Sequence, residues 1–164
     1  MRRFALDQNF PLPLIVAVRP FTPEAALVSI RDVDPRLAEL DDWRVVVALH
    51  RHAEAWDGLV TTDEMMLSDA KLLAALLQTR LSLVIAAASG HDPLKAAGLL
   101  LTHLPSICKR TDPTTAQVWN LTAAERRPED PWAAMTRLAQ RRRVQADKLY
   151  SEHRLTDQEL RSGG

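Results

Sequence analysis

The sequence predicts a three-layer α/β/α sandwich around a mainly parallel sheet of four or five strands. Three observations predict it. Short apolar runs alternate with helix-length stretches from Phe4 to Leu121. One of those runs, Leu81–Ala87, is apolar throughout, as a strand covered on both faces must be. The stretches between runs open on Asp, Ser or Pro, residues suited to helix caps and first turns. Right-handed crossovers then gather the strands into one sheet.

Each element follows in turn. Phe4–Asp7 reads as a short buried first strand that breaks at Gln8–Asn9. Leu12–Val18 is uniformly apolar, and Pro11 and Pro13 suit the first turn of a short helix there. Ala26–Arg31 is strand-like, with Val28 and Ile30 on one face, and ends in the loop signature Arg31-Asp32-Val33-Asp34-Pro35. Asp41 or Asp42 caps a helix reaching about Ala55, with Trp43, Val46, Val47, His50 and Ala53 as its packed stripe. Leu59–Thr62 is the next strand. Ser68 or Asp69 opens an Ala/Leu-rich helix through Gln78, and Leu81–Ala87 follows as a central parallel strand. Gly90-His91-Asp92-Pro93 is a turn feeding a helix from Pro93 to about Leu104. Gln117–Leu121 adds a short edge strand.

After a polar break at Arg126–Pro131, Trp132–Tyr150 reads as one last helix, with Trp132, Met135, Leu138 or Ala139, Ala146 and Leu149 as its apolar stripe. It would dock on the α/β body or across a homodimer. The tail Asp157–Gly164 is expected to fray. This divides the chain into an α/β domain over 1–122 and a C-terminal helical extension over 123–164.

Composition excludes more than it assigns. At 164 residues, 46% hydrophobic and 26% charged, the chain is an ordinary folded domain rather than a disordered one. Formal net charge is zero, so no whole-protein field steers it toward nucleic acid. Residues 1–122 carry net −2 and residues 123–164 net +2, too small an asymmetry to name a partner. Cys108 is alone, which excludes an internal disulfide and suits a reducing compartment. Lys109 and Arg110 follow it, yet it reads as a core or boundary thiol. The N-terminal stretch is no signal peptide, and Leu81–Ser89 falls far short of the roughly 20 residues that span a membrane. A cytoplasmic protein is expected.

Function in parallel α/β sheets gathers beyond the carboxyl ends of the strands. Asp7, Asp63 and Asp92 all fall there, and Asp42 opens a helix that can face the same crevice. Carboxylate oxygens crowded at one edge suit Mg²⁺ or Mn²⁺, ions that activate water and stabilise charge on phosphoryl oxygens. Each residue also has a plain reading. Asp7 with Asn9 makes a turn, Asp42 an N-cap, and Asp92 before Pro93 a helix cap. Thr61 and Thr62 are ordinary strand residues unless a hydroxyl orients Asp63 or a water. His91 is a loop residue unless it meets a phosphate.

Here the chain resembles the PIN-like ribonuclease superfamily, in its compact branch that opens with Asp-Glu-Asn-hydrophobic-Pro. The opening here is Asp7-Gln8-Asn9-Phe10-Pro11. Asp42 matches the branch's aspartate at the start of the helix before the third strand, and stands 21 residues before Asp63. Val60-Thr61-Thr62-Asp63-Glu64-Met65-Met66 matches a strand ending in Val-Thr-x-Asp-x-Asp-Phe. The resemblance covers about residues 3–105. It implies a metal-dependent endoribonuclease in which Asp7, Asp42 and Asp63 hold the metal. Asp92 would be auxiliary, and Asn9, Thr61, Thr62 and His91 would lie beside RNA. It also implies a place as the toxin of a toxin–antitoxin pair, with the antitoxin covering the crevice. Two departures stand against this. Gln8 replaces an acid, and Met65 stands where the second aspartate belongs. The alternative is a catalytically degenerate fold used for binding or scaffolding.

The remaining signals are weaker. His50 and His52 are two apart on a helix and share no face, so they are no metal pair. Trp43 and Trp56 read as packing residues. Arg137, Arg141, Arg142, Arg143 and Lys148 make the last helix basic, as an RNA-contacting surface or as a solvated face.

Overall fold

The computed structural model describes residues 1–10, 13, 16–17, 19–86, 92–124 and 127–162. The sheet starts with β1 (Arg2–Leu6), whose inner residues Phe4, Ala5 and Leu6 are wholly buried. It pairs in parallel on one side with β2 (Ala25–Ser29) and on the other with β3 (Gly58–Thr61). β4 (Ser82–Ile85) pairs with β3, and β5 (Val118–Asn120) closes the far edge. The order is β2-β1-β3-β4-β5, all parallel, so β4 is the interior strand its apolar run requires.

Alternation along the strands divides the core into two layers. Phe4, Leu6, Leu27, Val60, Val84 and Trp119 face one side. Ala5, Leu59, Leu83, Ile85 and Val118 face the other. The first side is covered by α4 (Pro93–Arg110) through Ala96, Ala97, Leu100, Leu104 and Ile107. This helix runs past its expected end at Leu104, and past Pro105, because its apolar stripe continues one turn further. The second side is covered by α2 (Asp42–Arg51) and α3 (Ala70–Gln78), with Val45, Val46, Val47, Leu49, Leu72, Leu73 and Leu76 buried. Helices on both faces make the three-layer α/β/α sandwich.

Several local expectations change. Ile30 is not a strand residue; it opens the single-turn helix α1 (Ile30–Val33), with the Ser29 hydroxyl accepting from Arg31 N–H. It still packs in the same layer as Val28. The loop expected over Arg31–Pro35 is that helix followed by a 3-10 turn over Pro35–Glu39, capped by Asp34. α2 stops at Arg51, short of Ala55, which leaves Ala53 exposed and His50 only half-buried. Trp43 and Trp56 are buried packing residues. The helix expected over Leu12–Val18 lies mostly outside the described residues, as do Gly90 and His91.

The C-terminal segment is two helices rather than one. α5 (Pro131–Arg142) ends where Arg143 takes a left-handed conformation, φ 57°, and its N–H closes onto the Ala139 and Gln140 carbonyls. α6 (Ala146–His153) then turns back, and Met135, Leu138, Ala139 and Leu149 all join the layer formed by α2 and α3. Nor does the described part of the tail, residues 157–162, fray. α7 (Asp157–Ser162) is held by Glu159 on Lys71 at 2.5 Å, and Arg51 donates to Leu160 O at 3.0 Å. Just before it, Leu155 and the Gln78 amide exchange two hydrogen bonds, 2.7 and 3.0 Å.

The amino edge of the sheet is locked by Arg2, which pairs with Asp57 at 2.6 Å and donates to the carbonyls of Cys108 and Thr111. Burial pushes the Cys108 thiol up to about 11, so no reactive thiolate forms there at neutral pH. Among the described residues no helix is long and apolar enough to cross a membrane.

Candidate functional site

β1 is the strand from which the chain first crosses to one side, to β2, and later to the other, to β3. The crevice outside the carboxyl ends of β1 and β3 is therefore the switch point at which such sheets bind ligands. Asp7 follows β1 directly, and its N–H extends the ladder to Val60 O at 2.8 Å. A tight turn comes next. Phe10 N–H donates to Asp7 O at 2.9 Å, and the Phe10 ring is buried in the core. The Asp-Gln-Asn-Phe opening is thus a turn plugged by its aromatic residue, and the plug fixes the direction of the Asp7 side chain.

That side chain is 6% exposed. Gln8 N–H donates to its Oδ1 at 2.7 Å, while the Thr61 hydroxyl (3.0 Å) and the Asn9 amide (3.2 Å) donate to its Oδ2. Burial nevertheless dominates, and together with the Asp63 charge it pushes the Asp7 carboxyl above its ordinary range. Thr61, fully buried at the end of β3, also accepts from Asp63 N–H at 3.0 Å. One hydroxyl therefore ties the two strand ends together, donating to one aspartate and accepting from the other's backbone. Thr62, expected as its equal, is half-buried and shows no such bond among the described residues.

Asp63 caps a 3-10 turn over Glu64–Ser68, its Oδ1 accepting from Met65 N–H at 2.8 Å. Asp69 in turn caps α3. Asp42 occupies the first turn of α2 and, among the described residues, no donor reaches its carboxylate. Burial, followed by the charges of Asp7, Asp63, Asp69 and Asp41, drives its pKa up to about 6. The nearest cation of α3, Lys71, is turned away: it lies 4.1 Å over the Trp43 ring and pairs with Glu159.

The structure thus brings Asp7, Asp42 and Asp63 into one electrostatic cluster, with Asn9 and Thr61 bonded to its first member. Asp69 joins it, a residue that sequence reasoning treats only as a cap, since its approach depends on the 3-10 turn folding back. Asp92 is different. It is an exposed N-cap of α4, its Oδ1 accepting from Leu94 and Lys95 N–H. His91 lies outside the described residues. Among those residues, no three His, Cys, Asp or Glu side chains converge tightly enough to hold an ion between them.

From Asp63 the sheet edge opens into a groove of about 760 Å³ between the 3-10 turn and α5, lined by Glu64, Met65, Leu67, Asn120, Arg137 and Arg141 among others. Met65, one of the lining residues, is 67% exposed. Fold and site together define an α/β/α protein with a buried to half-buried carboxylate cluster at its sheet's switch point. Comparisons with protein-family models, with curated proteins and with solved structures find nothing that matches this chain.

Proposed function

We propose that the chain is a metal-dependent endoribonuclease that hydrolyses RNA phosphodiester bonds in the cytoplasm, with Asp7, Asp42 and Asp63 as its acidic centre. The observation that carries this reading is Asp42. A carboxylate left without a hydrogen-bond donor, among four acidic neighbours and with its pKa raised to about 6, is costly unless it meets a cation. Mg²⁺ suits the cluster, because it keeps several of its waters and takes only one or two carboxylates. When bound, Mg²⁺ or Mn²⁺ supplies an activated water and neutralises charge on the phosphoryl oxygens.

The chain's own residues do the positioning. Thr61 holds the Asp7 carboxylate and the Asp63 backbone in fixed register. Asn9 donates to the Asp7 Oδ2, and among the described residues its own side-chain carbonyl accepts no hydrogen bond. Asp42, ionised above about pH 6, contributes the least committed carboxylate. The purified protein should cleave a mixed RNA pool with Mn²⁺, and Asp7→Asn should lose that cleavage while keeping its fold and Tm. Undiminished metal-dependent turnover by D7N would rule out the site.

The acidic crevice also suits a basic inhibitor side chain, which supports the toxin reading. Expression in a bacterial host should slow growth, and D7N should relieve it. Equal harmlessness of the two proteins at matched levels would remove that reading. One observation favours a binding module instead: Asp7 and Asp63 are bonded to their own chain, and Met65 stands where the resembled pattern has an acid. Calorimetry with Mn²⁺ separates the two, since a binding module gives no saturable heat and no hydrolysis.

A further inference from the structure

The groove beside Asp63 carries features that the acidic centre does not explain. Its floor is the end of β5 at Asn120, one wall is the 3-10 turn Glu64–Ser68, and the other is the exposed side of α5. Met65 lines it and its N–H is bonded to Asp63 Oδ1, so the groove adjoins the carboxylate cluster. The arginines of α5 differ in kind. Arg137 is neutralised by a two-pronged contact with Glu129. Arg141 has no carboxylate partner among the described residues. It lines the groove, and its guanidinium reaches Leu67 O at 3.3 Å, leaving most of its five donors to solvent. Arg142, beside it, donates to Ser68 O at 2.8 Å. These backbone contacts hold Arg141 in the groove and Arg142 beside it without cancelling their charge.

Met65 is the second unexplained residue. An apolar side chain 67% exposed beside a carboxylate cluster gains nothing from burial there. Its flexible thioether is, however, a good partner for an aromatic face. A carboxylate at the same position would repel a phosphate strand entering the groove. Methionine adds nothing to the repulsion that Glu64 already exerts and offers a surface on which a base can lie.

We propose that the groove between the Glu64–Ser68 turn and α5 is the single-stranded RNA track of this protein, with a base against Met65 and a backbone phosphate on Arg141, seconded by Arg142. The inference rests on the nuclease reading for the choice of RNA, and names the path that the strand takes away from the acidic centre. Asn120 and Gln140 supply neutral donors and acceptors along it. Charge complementarity places the phosphate on the α5 side, where Arg141 and the adjacent Arg142 outweigh Glu64 of the turn, and leaves the base against Met65.

The test measures fluorescence anisotropy of a labelled 12-nucleotide single-stranded RNA on full-length D7N protein in Mg²⁺ buffer, across a salt series. Adding Arg141→Gln should weaken binding about tenfold near 50 mM salt and lower the log–log salt slope by about 0.7, the share of one single-strand phosphate contact. Adding Met65→Ala should weaken binding a few-fold at every salt concentration without changing the slope. Arg143→Gln removes the same charge outside the groove and serves as control. An equal loss with R143Q would show diffuse attraction and overturn the track. Unchanged binding in both groove variants, or no binding of the RNA by D7N at low salt, would overturn it too. Equal affinity for the matching deoxyribo-oligomer would overturn the assignment to RNA. The nuclease reading is judged apart, by Mn²⁺-dependent hydrolysis of a small phosphodiester by the wild-type protein. Groove-dependent RNA binding without that hydrolysis upholds the track and sinks the nuclease.

Discussion

Asp42 sits in the first turn of α2, where the positive end of a helix ordinarily favours a carboxylate. Burial and four acidic neighbours outweigh that dipole and lift its pKa from 3.8 to about 6. The sign of the consequence follows. Between those two values the folded protein keeps a proton that the unfolded chain has released, so stability falls as pH rises through this window and then levels off. Asp42→Asn should remove its share of that decline and leave the share of Asp7, whose carboxyl is also pushed up. At pH 7 the variant should be more stable by on the order of 1 kcal/mol, once screening of a half-exposed group is allowed for, and at pH 3.5 the two proteins should melt together. Thermal melts across pH check this, and a wild-type profile flat between pH 4 and 7 would refute it. Much of this site is legible in residue types. Aspartates past apolar runs mark Asp7 and Asp63, and Asp42 is marked only as a helix-opening carboxylate that can cap the helix or face the same crevice. What the sequence does not display is the role of Thr61 over Thr62, because one residue of register decides which hydroxyl meets Asp7. Nor does it separate Asp92 from the cluster, since a helix cap and a ligand have the same local sequence.

At the scale of elements, β3 starts with a glycine for a steric reason. A Cβ on Gly58 would stand 2.7 Å from Ser82 O of the neighbouring strand and 3.1 Å from the Phe4 ring on the other side. Strand pairing fixes the carbonyl, and Phe4 is fully buried, so neither neighbour has room to move. Gly58→Ala should cost about 1–3 kcal/mol, typical of overpacking in a closed core. Urea unfolding should show a lower midpoint with an unchanged slope; an unchanged midpoint would mean that β3 and β4 can slide apart. The same element shows why the sheet is readable from sequence. β3 and β4 are buried along their whole lengths, and continuous apolar runs are the mark of such strands. Helix ends are harder. The apolar stripe of α4 carries it through Pro105, and that of α5 suggests continuity into α6 where the backbone breaks at Arg143. An arginine in the left-handed region announces itself far less than a glycine would.

For the whole molecule the question is whether residues beyond 122 are an appendage. Their side chains say otherwise. Met135, Leu138, Ala139, Leu149 and Leu155 are nearly inaccessible and belong to the same layer as α2 and α3. Glu129 is bridged to Val118 of the edge strand, which carries the path from sheet to α5. Exposing the four largest of those side chains forfeits about 6–12 kcal/mol of burial, comparable with the whole stability of a domain this size. Truncation after Glu129 should therefore abolish cooperative unfolding and leave a chain prone to aggregate. Truncation after Thr156 removes α7 with its Lys71–Glu159 pair, the Arg51 bond to Leu160 O and the partly buried Leu160, and should cost about 1–3 kcal/mol. Differential scanning calorimetry of the two truncations distinguishes a core component from a detached arm. A sharp transition at the full-length Tm after the Glu129 cut would show that the α/β body closes its second face without α5 and α6, and the groove beside Asp63 would then lose the wall that Arg141 provides.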